Sequence, residues 1–354
     1  MTDKKYFTAR LLAWNTNDND RPMPWKGEKD PYRIWLSEII LQQTRVEQGW
    51  GYYERFVKNF PTVQKLAAAP ETKVFKLWEG LGYYTRCKNL IATAKIIVDQ
   101  YKGKFPDQYE AILALKGIGP YTAAAIASFA FDLPYAVVDG NVFRVISRYF
   151  GIGTATDSTE GKKLFAAMAD ELLDKDQPGI YNQALMDFGA VICKPQSPLC
   201  TACPLRSKCV AYLQGKVDQL PVKEKKIINR ERWFYYFVIE YNGKVYLRKR
   251  PAKDIWENLY EFVLVERNAA IAKIKPGVTT LLKEILPGTA FTITGITGPY
   301  RQQLTHQTIH GYFIKLHITK PLNNKGFRAL SFAEARKLPF PKFITTYLAQ
   351  QDWV

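Results

Sequence analysis

Apolar residues recur at helical spacing along much of the chain before residue 220. That spacing is typical of helices that bury one face and expose the other. It predicts helices near 31–58, 62–68, 71–78, 87–102, 107–115, 120–131, 141–150, 159–174 and 178–189. This part of the chain is therefore predicted to be all-α.

The pattern changes after residue 220, where "LPVKEKKIINRER" is a charged, proline-containing stretch. Beyond it, "WFYYFVIEYNGKVYLRKR" predicts two aromatic-rich strands around an Asn-Gly turn, and "FTITGITG" and "HGYFIKLHI" predict further strands. We therefore expect an α domain over 1–220, a linker over 221–232 and a smaller α+β domain over 233–354.

Composition and charge narrow the class of protein. The chain has 354 residues, and it contains neither an apolar run long enough to span a membrane nor an N-terminal leader pattern. We expect a soluble intracellular protein. Its net charge of +17 favours a polyanionic partner, above all nucleic acid, although a cationic surface also serves solubility.

Four of the five cysteines lie in "CKPQSPLCTACPLRSKC", at Cys193, Cys200, Cys203 and Cys209, and Cys87 stands apart as a predicted free thiol. Two disulfides are one use of such a set. Metal ligation is favoured, because an intracellular chain sits among reducing thiols. The spacing C-x6-C-x2-C-x5-C suits either zinc or an iron–sulfur cluster, and spacing alone does not choose between them.

The stretch "LKGIGPYTAAAIA" predicts two helices joined by a glycine turn, with Pro120 in the first turn of the second helix. Gly117 and Gly119 allow close backbone approach, and the free N–H groups of the following helix could bind a phosphate. The alternative is a hairpin that uses glycine only to turn.

Two carboxylates stand in contrasting surroundings. Glu38 lies in "IWLSEIIL", where apolar neighbours would raise its pKa and suit a general acid; otherwise it lies at the solvent edge of a helix. Asp139 comes just before a predicted helix, whose N–H groups would keep it ionised, or it simply caps that helix. One acid and one fixed negative charge suit cleavage of a glycosidic bond through a cationic sugar.

Further side chains suit a protein that opens a duplex. Gln42 and Gln43 follow the Glu38 segment, and Tyr83 and Tyr84 lie in a glycine-containing turn. Such groups can fill a gap or wedge between bases. The alternative for each of them is ordinary packing.

Together these motifs resemble one family. The set "SEIILQQTRV", "LWEGLGYYTRCKNL", "LKGIGPYTAAAIASFAF", "VVDGNVFRV" and the cysteine loop is similar to the helix-hairpin-helix DNA glycosylases, specifically the A/G-specific adenine DNA glycosylases. The resemblance implies a multidomain α and α+β protein: an all-α helix-hairpin-helix glycosylase domain with an iron–sulfur loop at 193–209, followed by a Nudix-like α+β domain. It also implies that the four cysteines hold a [4Fe-4S] cluster.

The same resemblance assigns catalytic roles. Glu38 matches the acid that protonates adenine, Asp139 the carboxylate that stabilises the sugar cation, and Asn141 the residue that orients that carboxylate and water. Tyr121 matches a hairpin position whose hydroxyl supports Asp139. The related endonuclease III enzymes have a lysine there, which forms a Schiff base with the sugar. Tyrosine cannot do so, and we expect base removal without an efficient lyase step.

The C-terminal part resembles the Nudix-like recognition domain of that family. It lacks the glutamate-rich helix by which true Nudix hydrolases hold Mg²⁺, so pyrophosphate hydrolysis is not expected. The family's loop that contacts 8-oxoguanine aligns with Leu304, Thr305 and His306, where Leu304 replaces an aromatic residue.

The resemblance thus implies a monofunctional adenine DNA N-glycosylase, a hydrolase of base excision repair. Its partner would be double-stranded DNA with A:8-oxoguanine or A:G mispairs, and we expect a monomer in the bacterial cytoplasm, at the nucleoid. Two alternatives remain: an endonuclease III-like bifunctional pyrimidine glycosylase and lyase, or a non-catalytic DNA-binding iron–sulfur protein.

Overall fold

A computed structural model describes residues 3–224, 229–324 and 326–351. The chain divides into two units, Met1–Ala68 with Lys88–Lys225 and Ala69–Cys87 with Lys226–Val354. Within the described ranges, no helix combines the length and the apolar character that a membrane crossing requires.

Helices make up most of the first part of the chain. In chain order they are α1 (Asp3–Asn17), α2 (Pro31–Leu41), α3 (Val46–Asn59), α4 (Val63–Ala67), α5 (Glu71–Trp78), α6 (Tyr84–Gln100), α7 (Tyr109–Leu113), α8 (Pro120–Phe131), α9 (Gly140–Phe150), α10 (Thr159–Leu172), α11 (Pro178–Val191) and α12 (Val210–Leu213). Two 3₁₀ turns, Cys200–Ala202 and Arg206–Lys208, lie in the cysteine loop.

The first two helices differ most from the sequence prediction. The stretch predicted as one helix over 31–58 is α2 and α3, because the backbone leaves the helical region at Gln42 (φ −52°, ψ 113°) and turns left-handed at Gln43 (φ +56°). The N-terminal helix α1 was not predicted. The sequence did indicate this helix through the helical spacing of Phe7, Leu11 and Trp14. All three side chains are buried in the structure.

The helix that follows Asp139 lies in the main core of the first unit. There α1 packs against α11, and α11 packs against α9. Trp14 meets Phe188 edge to face with ring centroids 5.0 Å apart, and Val142 and Leu185 are buried in the same cluster. The N-terminal end of α9 is therefore held on a rigid base.

The second unit is built on a mixed sheet of seven strands. The strands are β1 (Arg230–Tyr241), β2 (Lys244–Lys249), β3 (Tyr260–Glu261), β4 (Val263–Arg267), β5 (Phe291–Gln303), β6 (Gln307–Ile318) and β7 (Arg328–Ser331). Their order is β3-β2-β1-β6-β5, with β4 paired to β1 and β7 to β2. The β1/β6 pair is parallel, and β5 and β6 form an antiparallel hairpin.

The predicted turn between the first two strands is present. Asn242 and Gly243 both have positive φ, as a tight hairpin requires. Helices α13 (Ile274–Ile285), α14 (Phe332–Ala335) and α15 (Lys342–Leu348) complete the unit, and α13 contributes Val278 and Leu282 to the core beside the sheet. The short strands β3, β4 and β7 were not predicted.

Residues 69–87 belong to the second unit, although the sequence predicted them within one continuous α domain. Lys76 donates to the carbonyl of Leu338 at 3.0 Å, and Glu79 accepts from the amide of Phe340 at 2.8 Å. These contacts join residues far apart in sequence, which local patterns do not report.

The predicted linker over 221–232 overlaps the first strand at its end, and its residues 225–228 lie outside the described residues. At its start, the carbonyl of Val222 accepts from the amide of Thr156 at 3.0 Å. At its end, β1 begins at Arg230. The expected boundary at 233 therefore lies inside the first strand.

Candidate active site

Glu38 lies on α2, a helix that is apolar on almost every side. Asp30 caps this helix by accepting a hydrogen bond from Tyr32 N at 2.9 Å, and Pro31 occupies its first position. Glu38 is only 4% exposed, so it does not lie at a solvent edge. Burial disfavours the charged form and raises the pKa of Glu38 to about 7.

Tyr121 meets Glu38 directly, since α8 packs against α2. The Tyr121 hydroxyl donates to Glu38 Oε2 at 2.6 Å, which favours the carboxylate, while the nearby charge of Asp139 raises the Glu38 pKa. The family resemblance implied that Tyr121 would support Asp139 instead. In this structure the hydroxyl donates its hydrogen bond to Glu38.

Asp139 forms the N-cap of α9. Its Oδ1 accepts from the backbone amides of Asn141 and Val142 at 2.8 Å each, and its Oδ2 accepts from Asn141 Nδ2 at 2.7 Å. Burial raises the pKa of Asp139 above its usual value, although these hydrogen bonds and the charge of Arg144 act in the opposite direction. The capping geometry was predicted, whereas the upward direction of the pKa was not.

Arg144 connects this carboxylate system to the cysteine loop. Its Nη2 donates to Asn141 Oδ1 at 2.7 Å, and its Nε donates to the carbonyl of Cys193, also at 2.7 Å. Sequence analysis did not single it out. The available indication was a charged residue directly before two apolar ones, Val145 and Ile146, and all three are buried in α9.

A pocket of about 230 Å³ opens beside Glu38. Its wall combines apolar surface with a few polar groups, which is typical of small-molecule and base-binding sites. The lining residues come from the segment before α2 and from α1, α2, α8 and α11: Asn15, Trp25, Lys26, Gly27, Glu28, Lys29, Ile34, Ser37, Glu38, Phe129, Gly179, Ile180 and Gln183.

Another buried carboxylate supports this pocket. Asp187 is fully buried on α11 and accepts from Gln183 Nε2 at 3.0 Å, Arg21 Nη1 at 2.8 Å and Asn19 Nδ2 at 3.0 Å. It therefore fixes the amide of a lining residue. Sequence reasoning missed Asp187, although an acid in the apolar stretch "ALMDFGAV" carries the same signal as Glu38.

The predicted glycine hairpin connects α7 to α8. Gly117 has φ +79°, and a Cβ there would lie 2.7 Å from Asn89 Cβ, so the position requires glycine. Gly119 has extended backbone and open space around it, so neither strain nor crowding selects glycine there.

The two glutamines after α2 differ in their surroundings. Gln42 is half-buried and donates to Thr122 Oγ1 at 3.3 Å, which places it against the first turn of α8. Gln43 is exposed.

In the second unit, Tyr83 lies at the surface and is 44% exposed. Its hydroxyl lies 2.6 Å from Thr305 Oγ1, so the structure brings together two residues that the sequence analysis had linked separately to DNA. Tyr84 is buried, and its hydroxyl accepts from the amide of Gly80 at 3.2 Å. A surface wedge role for Tyr84 is therefore contradicted by its packing.

The loop Leu304 to His306 is the turn between β5 and β6. Leu304 is half-buried and its amide donates to the carbonyl of Gln307 at 2.7 Å. Thr305 and His306 are exposed, and they are the side chains that this turn presents.

The four clustered cysteines face one small pocket, which Cys193, Cys200, Cys203 and Cys209 line together. The four residues therefore lie around one common space, as shared ligands of a cluster must. In the part of the chain that the structure describes, no three His, Cys, Asp or Glu side chains converge as ligands of a single ion would. Cys87 is buried and lies outside this pocket.

Two family models match the chain. One, described as HhH-GPD superfamily base excision DNA repair protein, matches residues 36–169, and a NUDIX domain model matches residues 235–350. The predicted order of a helix-hairpin-helix unit followed by a Nudix-like unit is thereby confirmed.

The chain is also similar to named proteins. An adenine DNA glycosylase from Buchnera aphidicola subsp. Baizongia pistaciae is 35% identical over 306 residues, which cover 86% of this chain and 84% of that protein. The structure of a thermostable thymine-DNA glycosylase is 31% identical with a TM-score of 0.56, covering 60% of this chain and 97% of that one. A non-covalent endonuclease III–DNA complex, 21% identical with a TM-score of 0.52 over 61% of this chain and 98% of that chain, shares the fold.

Proposed function

The chain belongs to the adenine DNA glycosylase family, and we propose that it hydrolyses the N-glycosidic bond of adenine in DNA as a monofunctional enzyme of base excision repair. The observation that carries this proposal is the pairing of two carboxyl groups, one of which lines a pocket. Glu38 has a pKa of about 7 and lines the pocket, and Asp139 is close enough to influence that pKa.

The two groups divide the chemistry. An adenine extruded into the pocket accepts the Glu38 proton, which lets the base leave as a neutral molecule when its bond to the sugar C1′ breaks. The sugar becomes a cation, and the negative charge of Asp139 stabilises it. Water then adds to C1′ and releases a proton, so the products are free adenine and an abasic site.

Asn141 supports the second carboxylate in this scheme. Its side-chain amide and backbone N–H both donate to Asp139, which fixes the orientation of the carboxylate before the cation forms. We assign Asn141 the further task of orienting the attacking water.

Adenine release from a mispaired duplex tests the acid assignment. Wild type is expected to release free adenine under single-turnover conditions, and Glu38→Gln is expected to be slower by roughly a hundredfold or more. Glu171→Gln makes the same chemical change at an exposed glutamate and is the matched control. Release by Glu38→Gln at the wild-type rate would refute the assignment.

The absence of a lysine at the Tyr121 position supports a monofunctional reaction. A lyase needs an amine that attacks C1′ and forms a Schiff base, and a phenol cannot form one. Borohydride trapping on a mispaired duplex should yield no covalent complex. A strong trapped band would instead favour the endonuclease III-like alternative.

We further propose that the favoured mispair is A:8-oxoguanine. The exposed Thr305 and His306 would contact the lesion, while Tyr83, held to Thr305 by its hydroxyl, would enter the base stack.

The lesion preference is tested by measuring base release from duplexes with 8-oxoguanine opposite each normal base, and from a duplex with A:G. Thr305→Val should lower the preference for 8-oxoguanine over guanine, whereas Thr294→Val, an exposed threonine on β5, should not. Equal rates on both mispairs in wild type would refute the lesion preference.

The charge of +17 and the glycine hairpin support double-stranded DNA as the partner, with the first turn of α8, which no N-cap side chain engages, as the proposed phosphate contact. Cys193, Cys200, Cys203 and Cys209 would hold a [4Fe-4S] cluster, which cross-links the loop after α11. We expect the enzyme to act as a monomer in the cytoplasm.

A further inference from the structure

The turn between α5 and α6 has an unusual backbone. Gly80, Gly82 and Tyr83 all have positive φ, at +92°, +81° and +48°. Glycine tolerates this region, but an aromatic residue adopts it only where surrounding contacts enforce it. The conformation of Tyr83 therefore needs a structural cause.

Two side chains meet the carbonyl that precedes Tyr83. Trp78 Nε1 donates to the carbonyl oxygen of Gly82 at 2.9 Å, and Arg86 Nη2 donates to the same oxygen at 3.3 Å. Both donors come from helices that flank the turn. They fix the peptide plane that sets the direction of the Tyr83 side chain.

The Arg86 guanidinium also contacts two aromatic rings. Its Cζ lies 5.3 Å from the ring centroid of Trp78 and 5.3 Å from that of Tyr83, within the range of cation–π attraction. Arg86 is 8% exposed, whereas Tyr83 is 44% exposed. Burial lowers the pKa of Arg86 to about 10, so it is charged at neutral pH. The cation thus supports the exposed ring from the protein side.

We propose that Arg86, together with Trp78, is a positioning residue that holds the Tyr83 ring ready to enter the DNA base stack. The inference rests on the proposed function, in which Tyr83 contacts DNA. A planar guanidinium can contact both rings and the Gly82 carbonyl, while a lysine ammonium is a point charge that cannot meet all three in the same way. Arg86→Lys therefore removes the positioning and keeps the charge.

Binding to an A:8-oxoguanine duplex and the fluorescence of 2-aminopurine beside the mispair test this inference. Both are measured in a Glu38→Gln background, so that the base stays in place. Arg86→Lys should weaken binding by roughly 3- to 30-fold and reduce the fluorescence change on binding. Arg55→Lys is the matched control, because Arg55 lies 4.3 Å over the Tyr52 ring on α3 and has no part in the turn.

A second pair of variants separates positioning from simple loss of stability. In a Tyr83→Ala background, Arg86→Lys should cause no further loss of affinity, since the ring that it positions is gone. An equal loss in both backgrounds, or an unchanged fluorescence response in Arg86→Lys, would overturn the inference.

Adenine release by the wild-type enzyme distinguishes refutation of the Arg86 positioning role from refutation of the proposed glycosylase function. If the wild type releases adenine but Tyr83→Ala binds DNA as tightly as the Glu38→Gln protein without it, the positioning role is refuted and the glycosylase function is retained. If the wild type releases no adenine from any mispair, the proposed function and the positioning inference are both refuted.

Discussion

The Tyr121 hydroxyl donates a hydrogen bond to the Oε2 of Glu38 at 2.6 Å. The bond favours the ionised carboxyl, while burial and the nearby charge of Asp139 favour the protonated one. Burial is the largest of these effects, and the resulting pKa of about 7 suits a group that must carry a proton near neutral pH. Tyr121 thus limits how far the Glu38 pKa rises.

The pH dependence of adenine release should be bell-shaped. Activity falls as the pH rises through about 7, because Glu38 loses its proton. It also falls on the acid side, at a higher pH than for an ordinary aspartate, because burial raises the pKa of Asp139. In Tyr121→Phe the alkaline limb should move up by roughly one pH unit, because the bond that favoured the carboxylate is gone.

A second tyrosine provides the control for that shift. Tyr32 is buried on the same helix as Glu38, and its hydroxyl donates to the carbonyl of Phe60 at 2.6 Å. Tyr32→Phe removes a comparable bond at a residue that does not line the pocket, and its single-turnover pH profile should match wild type. An alkaline limb that stays in place in Tyr121→Phe would contradict the proposed coupling.

Glu38 should also make stability depend on pH. The folded state holds the Glu38 proton up to about pH 7, whereas an ordinary glutamate loses it near 4.5. The folded protein therefore binds more protons over this interval, and its free energy of unfolding falls as the pH rises through it, by about 3 kcal/mol. Glu38→Gln cannot ionise and should be more stable than wild type at pH 8 by about that amount.

Denaturant unfolding at pH 5 and pH 8 measures this difference. The gap between Glu38→Gln and wild type should widen at the higher pH, and Glu171→Gln should follow wild type at both. A gap of constant size would mean that Glu38 titrates equally in the folded and unfolded states.

Arg144 should influence the chemical step through Asn141. Arg144→Lys loses at least one of the bonds to Asn141 and Cys193, so Asp139 is less well oriented, and the single-turnover rate at saturating enzyme should fall by roughly tenfold. Arg148→Lys is the control, because Arg148 donates to the Lys194 and Leu220 carbonyls and not to Asn141. Equal rate losses in the two variants would indicate a general effect on the cysteine loop.

The proposed cluster should depend on the four grouped cysteines and not on the fifth. Cys200→Ser should lose visible iron–sulfur absorbance and bind DNA more weakly, because the loop loses one cross-link. Cys87→Ser should keep the absorbance, since this buried thiol lies outside the shared pocket. Unchanged spectra in Cys200→Ser would reject its role as a ligand.

Local sequence patterns predicted much of the fold. Apolar spacing indicated most helices before residue 220, and the Asn242-Gly243 turn indicated the first hairpin. Those features depend on neighbours within a few positions, which is the range that spacing and turn chemistry report. The break between α2 and α3 was not predicted, because neither the non-helical backbone of Gln42 nor the left-handed backbone of Gln43 is typical of a glutamine at the end of an apolar helix.

The sequence by itself determined which residues carry the chemistry: a glutamate in an apolar helix, an aspartate at a helix start and four cysteines in one loop. Only the tertiary structure decided their partners. It directed the Tyr121 hydroxyl to Glu38, linked Asn141 to Cys193 through Arg144, and joined residues 69–87 to the second unit. The physical reason is that a hydrogen bond between distant residues depends on how whole helices pack, and no local spacing records that packing.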